Sequence, residues 1–530
     1  MNVHERFREL IGRQQGRLRM SVPPAREAAI LALLRARERQ TSASENKSPP
    51  DLVTGRRVAD LGGNMALQLC FEASAASDSA STAVAWNRWA EQFLEDCGHL
   101  TEAELVLAHC ETGFMRMVEG DEGTFEVWIA TKRTPTSWRE RADISWWAAT
   151  LAKQHEPELR TLRSEHGEPH RPADYFREAG VYLTMMAYQL GYPPQAMLDG
   201  CTIQTYCKVL RQLIARALEA RDRGEVEEPQ SEQALVTAIA SALAADPARI
   251  GRAVAAFTLD FENASYHAAV PGVAAAPVVR IDPTRLVWSV RGLTSEPLFF
   301  LTRELRRRAG PEYHNTGYLR EDVFRQDLYG LFADKRFVTS AGRIALRRAD
   351  GDVRTDIDAV VFDRKTGTLG VFELKSQDPF ARSPIELARQ RDNVLYANRQ
   401  VSGVLDWLNR HGADDLLNRV DTRTAKNFRV QKVFPFVLGR YLVHFNDGPE
   451  PDRRAAWGTW PQVLRLLDGQ AFRSTDANPL ASLFSRLTTD ALQIRPPADG
   501  LPREIAIGGA RLIVYPSYAA FQATTAKRRP

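Results

Sequence analysis

The sequence predicts a mixed α/β (α+β) chain in which a mainly helical N-terminal region precedes a unit built on strands. Three observations predict it. From Pro172 to about Glu262 the apolar pattern is almost wholly helical. Near Ala274 the texture changes, and VVRIDPTRLVWSV alternates as a strand or hairpin does. Further on, RTDIDAVVFDRKTGTLGVFELKSQ, residues 354–377, reads as two β-rich arms joined at Lys365-Thr366-Gly367.

Composition sets the outer bounds. The chain has 530 residues, 44% hydrophobic and 26% charged, enough for two to four domains with their own cores. That balance excludes a disordered chain, collagen and a coiled-coil rod. No run of about 18 uninterrupted apolar residues occurs, so no membrane span is expected. The start, MNVHERFRELIGRQQGRLRM, lacks an apolar signal core. Five cysteines without a CxxC pair fit a reducing compartment, so the cytoplasm is the expected location. A net charge of +4 is too slight to name a nucleic-acid partner. Among 70 basic residues only ten are lysines, so each lysine gains a little weight as a position where arginine does not serve.

Taken in order, the first 40 residues are helical, with Pro23-Pro24 opening the second helix. TSASENKSPPD reads as an exposed linker, and ASAASDSASTA (73–83) as a low-complexity patch. Trp86, Trp89, Trp128, Trp138, Trp146 and Trp147 follow, and core packing is favoured over base stacking for them. A domain boundary is expected between 265 and 295. Near the C-terminus, EIAIGGARLIVY carries Gly508-Gly509 between alternating apolar residues, a hairpin signal.

Several familiar chemistries lack support. Cys97, His99, His109 and Cys110 look like zinc ligands, yet His109 and Cys110 are adjacent and their side chains diverge. His166 and His170 frame a Gly-Glu-Pro loop, which is not a helical HExxH. GxxxxGK[ST], GxSxG and a strand-linked GxGxxG are all missing from the sequence.

Residues 354–377 carry the chemistry. Period 2 puts Asp356, Asp358, Val360 and Phe362 on one face of the first arm, and Leu369, Val371, Glu373 and Lys375 on one face of the second. A connecting loop of two or four residues makes Asp358, Glu373 and Lys375 converge. A loop of three splits them unless a bulge restores the register. Two carboxylates with a backbone carbonyl such as that of Leu374 offer hard oxygen ligands suited to Mg²⁺. A lysine beside them can orient a water or stabilise a phosphoryl transition state. The triplet alone is weak, because Glu45-Asn46-Lys47 and Asp363-Arg364-Lys365 also fit it. The apolar setting of Val371-Phe372 and Leu374 is what distinguishes Glu373 and Lys375, since buried charges need a partner or a metal.

These residues resemble the PD-(D/E)xK nuclease superfamily over about residues 295–450. The upstream helix GYLREDVFRQDLYGLFA carries Glu321, the first strand Asp358, the second Glu373 and Lys375, and the following helix Gln390 and Tyr396. Ile357 stands where the family name has Pro, and the spacing from Gln390 to Tyr396 is longer than the family's. Asp356 is the alternative to Asp358. The resemblance implies a restriction-endonuclease-like mixed central sheet flanked by helices over 290–450. It implies Mg²⁺-dependent phosphodiester hydrolysis, with Mn²⁺ able to substitute. Asp358, Glu373, Glu321 and the Leu374 carbonyl would be metal ligands, and Lys375 and Gln390 would complete the catalytic set.

The expectation is therefore a nuclease acting on nucleic acid, with DNA favoured over RNA, in restriction or phage defence. The helix LTRELRRRAG, with Arg303, Arg306, Arg307 and Arg308, is a candidate phosphate-binding face. Residues 1–270 form a recognition or regulatory region, divisible near 40–52, through which a homo-oligomer or partner protein would be held. Residues 451–530 form an extension packed on the nuclease-like unit. The alternatives are a catalytically inactive nuclease fold kept for nucleic-acid binding or assembly, and an RNA-directed nuclease.

Overall fold

Asn2 opens the first helix, Val3–Ser21, with a reciprocal cap: its side chain accepts from the Glu5 N–H, and the Glu5 carboxylate accepts from the Asn2 N–H. The computed structural model describes residues 2–528 apart from 44–57, 74–82, 112, 114, 122, 130–135, 165–170, 225–227, 270–274, 348–352, 377–383, 444–450 and 491–501. Most of the two polar runs, and both His166 and His170, lie outside the described residues. The fold is mixed α/β, 60% helical, with several small mixed sheets and no barrel. Among the described residues no single helix is long and apolar enough to cross a membrane.

Helices Val3–Ser21, Arg26–Ala43, Val58–Glu72 and Ala83–Glu111 pack together at the N-terminus. The last two touch backbone to backbone, because a Cβ on Gly62 would lie 2.3 Å from the Leu94 carbonyl and one on Gly98 2.0 Å from that of Val58. Trp89 stacks on Phe93 at 5.0 Å, and Trp128 on Phe521 at 4.2 Å, so these rings serve packing.

A four-stranded sheet lies against these helices, in the order Met115–Glu119, Thr124–Ile129, Ala510–Tyr515, Arg503–Ile507. Its second half is the predicted C-terminal hairpin, turned by Gly508 and Gly509, both with positive φ. The hairpin was expected on the nuclease-like unit. It sits instead on the N-terminal region, because Ile505, Ile507, Leu512 and Val514 fill one core with Phe7, Phe125 and Val127. Among the described residues of the extension, strand Ala456–Thr459 joins the sheet that precedes it, and helices Trp460–Leu466 and Pro479–Thr489 pack on that sheet.

The expected boundary at 265–295 also moves. Val278–Arg280 and Arg285–Trp288 do form the predicted hairpin. They pair backwards, with Thr258–Leu259 and with Gln230–Ser231. Their side chains Val278, Leu286 and Trp288 share a core with Tyr206, Leu210 and Leu213 of helix Ile203–Arg223. The change of texture was real, but the strands it announced complete the helical middle of the chain.

The sheet that carries the candidate site has five strands, in the order Ala456–Thr459, Lys432–Gly439, Thr368–Lys375, Ala359–Asp363, Phe337–Thr339. The first three run parallel and the rest pair antiparallel. One face presents Ala359, Val361, Phe372 and Leu374 to Phe324 and Leu328 of helix Gly317–Gly330 and to Leu480 and Leu483 of helix Pro479–Thr489. The other presents Val360, Phe362, Leu369 and Val371 to Trp407 of helix Pro384–His411. Fully burying such side chains stabilises by roughly 1.5–3 kcal/mol each. Both faces covered explain why these strands read as continuous apolar runs.

Candidate functional site

The connecting turn decides whether the charged residues meet. Asp363 pairs with Thr368, so the loop has four residues, Arg364 to Gly367, where three were read. Four is one of the two lengths that bring the acids and the lysine together. Gly367 closes the turn at φ 67°, and a Cβ there would lie 2.7 Å from the Gln431 side chain. Buried Asp363 anchors the loop: it takes a twin 2.5 Å contact from Arg336 and accepts from Thr366 at 2.6 Å and from the Lys365 N–H at 3.0 Å. The Asp363-Arg364-Lys365 triplet is thus turn architecture, and Lys365 donates to the Ser474 carbonyl at 3.2 Å.

At the other end of the hairpin the strand breaks at Asp358. Val353–Ile357 pairs with Ile344–Arg347 in a separate two-stranded sheet, and Ala359–Asp363 enters the five-stranded one. Ala359 is the register partner of Phe372, and the Asp358 N–H also donates to the Phe372 carbonyl at 3.2 Å. Two consecutive residues facing one is the arrangement of a β-bulge, which re-aims a side chain. Asp358 Oδ2 accepts from the Leu374 N–H at 2.8 Å. In a strand the N–H and C=O of one residue share an edge, so the Leu374 carbonyl stands on the edge facing Asp358.

Glu373 and Lys375 extend from the same face of the neighbouring strand. Lys375 Nζ lies 2.5 Å from Glu373 Oε1 and donates to Gln400 Oε1 at 2.9 Å. It also lies 5.8 Å from the centre of the Tyr396 ring. Glu321 approaches from the helix on the opposite face and feels the charges of both Asp358 and Lys375.

Burial dominates the electrostatics. Asp358 is 4% exposed and Glu373 6%. Desolvation pushes both carboxyls up, Glu373 the more strongly, with the repulsion of Asp358 added. Glu321 is pushed up to about 7 by burial and by the Asp358 carboxylate. Burial alone would lower Lys375, but the attraction of Glu373, Asp358 and Glu321 outweighs it and holds the ammonium charged. Three carboxyls that resist ionising together are a set of hard oxygen donors lacking positive charge. Among the described residues no group of three or more His, Cys, Asp or Glu side chains is placed to hold a metal ion.

The sequence-predicted residues divide as follows. Glu321, Asp358, Glu373, Lys375 and the Leu374 backbone come together. Asp356 is taken by Arg343 at 3.0 Å, lines a pocket with Glu373 and Gln400, and by its charge raises Asp358 and Glu373. Gln390 lies in helix Pro384–His411, but its side chain is outside the described residues. The glutamine that meets Lys375 is Gln400, ten positions later, on the helix face that also carries Tyr396.

Arg325 was missed. Its Nε donates to the Asp358 carbonyl at 2.5 Å and its Nη1 reaches Asp322 at 2.7 Å, so it clamps the strand break to the Glu321 helix. Its one signal in the sequence is its place four residues after Glu321, a helical neighbour.

The arginine-rich helix is corrected. In Pro297–Ala309, Arg303 is buried and donates to the Tyr266 carbonyl at 2.9 Å. Arg307 pairs with Glu304 at 2.7 Å and Arg308 with Asp199 at 3.0 Å. Arg303 ties its helix to the one that carries Tyr266, Arg307 is held within its own helix and Arg308 by the turn at Asp199, so these three guanidiniums are already engaged. Cys97 and Cys110 are buried in one helix with thiols pushed up by burial, which disfavours a nucleophilic thiolate.

No protein-family model matches the chain, and neither a curated protein nor a solved structure matches it.

Proposed function

We propose that the chain is a metal-dependent nuclease of the PD-(D/E)xK kind, with residues of about 295–450 as its catalytic unit. The observation that carries the reading is the meeting of Asp358, Glu373 and Lys375 at the bulged end of a buried hairpin, with Glu321 beside them. The triplet was weak in sequence; the shared face, the four-residue turn and the burial supply the specificity it lacked. The five-stranded mixed sheet between helices is compatible with the restriction-endonuclease-like fold that the resemblance implies.

In this reading Asp358 and Glu373 hold Mg²⁺ or Mn²⁺, with Glu321 and the Leu374 carbonyl completing the oxygen set. Bound there, the cation would make water a better nucleophile and neutralise charge growing on the phosphoryl oxygens. Lys375, held cationic by its neighbours and aimed by Gln400, orients the attacking water and donates to the phosphoryl group. Arg325 and the Leu374 N–H fix the backbone and side chain of Asp358, so its carboxylate needs little reorganisation.

Incubating purified protein with plasmid, linear duplex and single-stranded DNA, and with RNA, in Mg²⁺, Mn²⁺ or EDTA tests this. Cleavage in Mg²⁺ that EDTA stops, and that Asp358→Asn and Lys375→Ala abolish, is the expected result.

A further inference from the structure

Seven large apolar side chains stand exposed among the described residues, and two of them, Tyr318 and Tyr396, are on the two helices that bracket the site. Tyr318 is 61% exposed and sits one helical turn before Glu321, on the same side of helix Gly317–Gly330. Tyr396 is 49% exposed, on helix Pro384–His411, one turn before Gln400. Its ring lies 5.8 Å from Lys375 Nζ and 4.9 Å from the guanidinium of Arg399, which is itself exposed. A third cation, Arg343, is 60% exposed and near enough to lower Glu321. Among the other described Phe, Tyr and Trp rings of the sheet unit none is exposed, and Phe324, Phe362, Phe372, Phe436 and Trp407 are fully buried. Two exposed rings on the helices that flank the carboxylate cluster therefore stand apart from the packing.

We infer that Tyr318 and Tyr396 are a stacking platform for unpaired bases, and that the substrate enters the site as a single strand or a locally opened one. This rests on the nuclease reading and names its substrate class. In an intact duplex the faces of the bases are covered by their neighbours, so exposed aromatic rings gain nothing from it. An unpaired strand offers a π face to each ring, whatever the base. Arg399, over the Tyr396 ring, and Arg343, near Glu321, meet the phosphates between stacked bases, and Lys375 receives the phosphate aligned with the carboxylates. The arrangement favours single strands without favouring a sequence.

Binding in EDTA separates this from catalysis. Fluorescein-labelled 20-mers of mixed sequence, single-stranded or as a blunt duplex, are titrated with wild type, Tyr318→Ala, Tyr396→Ala and the two Phe variants, and anisotropy is read. Wild type is expected to bind the single strand at least tenfold more tightly than the duplex. Each Ala variant loses about tenfold on the single strand, each Phe variant keeps wild-type affinity, and duplex binding is unchanged. Both residues are exposed, so the variants should keep their thermal midpoints, which confirms folding. If the Ala variants bind the single strand as wild type does, or if single strand and duplex are held equally, the platform is wrong. The nuclease reading then still stands, provided that Mg²⁺-dependent cleavage is seen and Asp358→Asn abolishes it. No binding and no cleavage of any nucleic acid overturns both.

Discussion

The Leu374 N–H donates to Asp358 Oδ2 at 2.8 Å, so an acid of one strand is fixed by the backbone of the residue between Glu373 and Lys375. The bond links the strand break to the Glu-x-Lys strand and sets where the Asp358 carboxylate stands. Asparagine keeps that acceptor and removes the charge. Asp358→Asn is therefore expected to retain the wild-type thermal midpoint within a degree or two while cleavage falls by more than 100-fold. Asp358→Ala leaves a buried N–H without its acceptor and should cost about 1–3 kcal/mol in denaturant unfolding. Equal stability of the two variants would contradict this role for the bond.

Arg325 should behave as a positioning residue. Arg325→Lys keeps the charge but cannot reach both the Asp358 carbonyl and Asp322, which the forked guanidinium reaches at 2.5 and 2.7 Å. Cleavage should drop about tenfold or more, with the substrate KM little changed and kcat carrying the loss. A rise in KM alone would place Arg325 in substrate binding.

The Asp363-Arg364-Lys365 triplet gives an internal control. Lys365 is exposed in the hairpin turn and its ammonium donates to the Ser474 carbonyl, so Lys365→Ala should change stability by less than about 0.5 kcal/mol and leave cleavage intact. Lys375→Ala should abolish cleavage. Matching losses from the two substitutions would remove the distinction drawn between them.

Stability should depend on pH in a stated direction. Glu321 titrates at about 7 in the folded chain, above its ordinary value of 4.5. Between those values the folded state binds more protons than the unfolded one, so stability falls as pH rises from about 4.5 to about 7. Asp358 and Glu373, also raised, act in the same sense. In EDTA the thermal midpoint of Glu321→Gln should therefore decline less across that window than that of wild type. Mg²⁺ competes with protons for these carboxyls, so the stabilisation it gives should grow with pH and vanish in Glu373→Gln. A wild type and a Glu321→Gln variant with parallel pH profiles would contradict the assignment.

The central hairpin was legible in the sequence because its signal is local. Alternation sorted Val360 and Phe362 from Val361, and Leu369 and Val371 from Phe372, and the two cores divide along those lines. The parity rule for the turn was sound, but its length was misread: Arg364 belongs to the loop because Arg336, far away in sequence, fixes Asp363. What escaped was set by tertiary partners. Apolar alternation in the C-terminal hairpin predicts a buried face but not which sheet it joins, and here the partner strand Thr124–Ile129 lies nearly 400 residues earlier. Gln400, which meets Lys375, escaped because spacing along a long helix does not say which turn faces the lysine. Arg303, Arg307 and Arg308 read as a phosphate face because a run of arginines looks alike whether it meets solvent or Tyr266, Glu304 and Asp199.

The most direct test is cleavage of single-stranded and plasmid DNA by the full chain in Mg²⁺, with EDTA and with Asp358→Asn and Lys375→Ala as controls. Metal-dependent hydrolysis by wild type and none by either variant is the predicted result. A wild type that cuts no nucleic acid in Mg²⁺ or Mn²⁺, or variants that cut as well as wild type, would contradict the account.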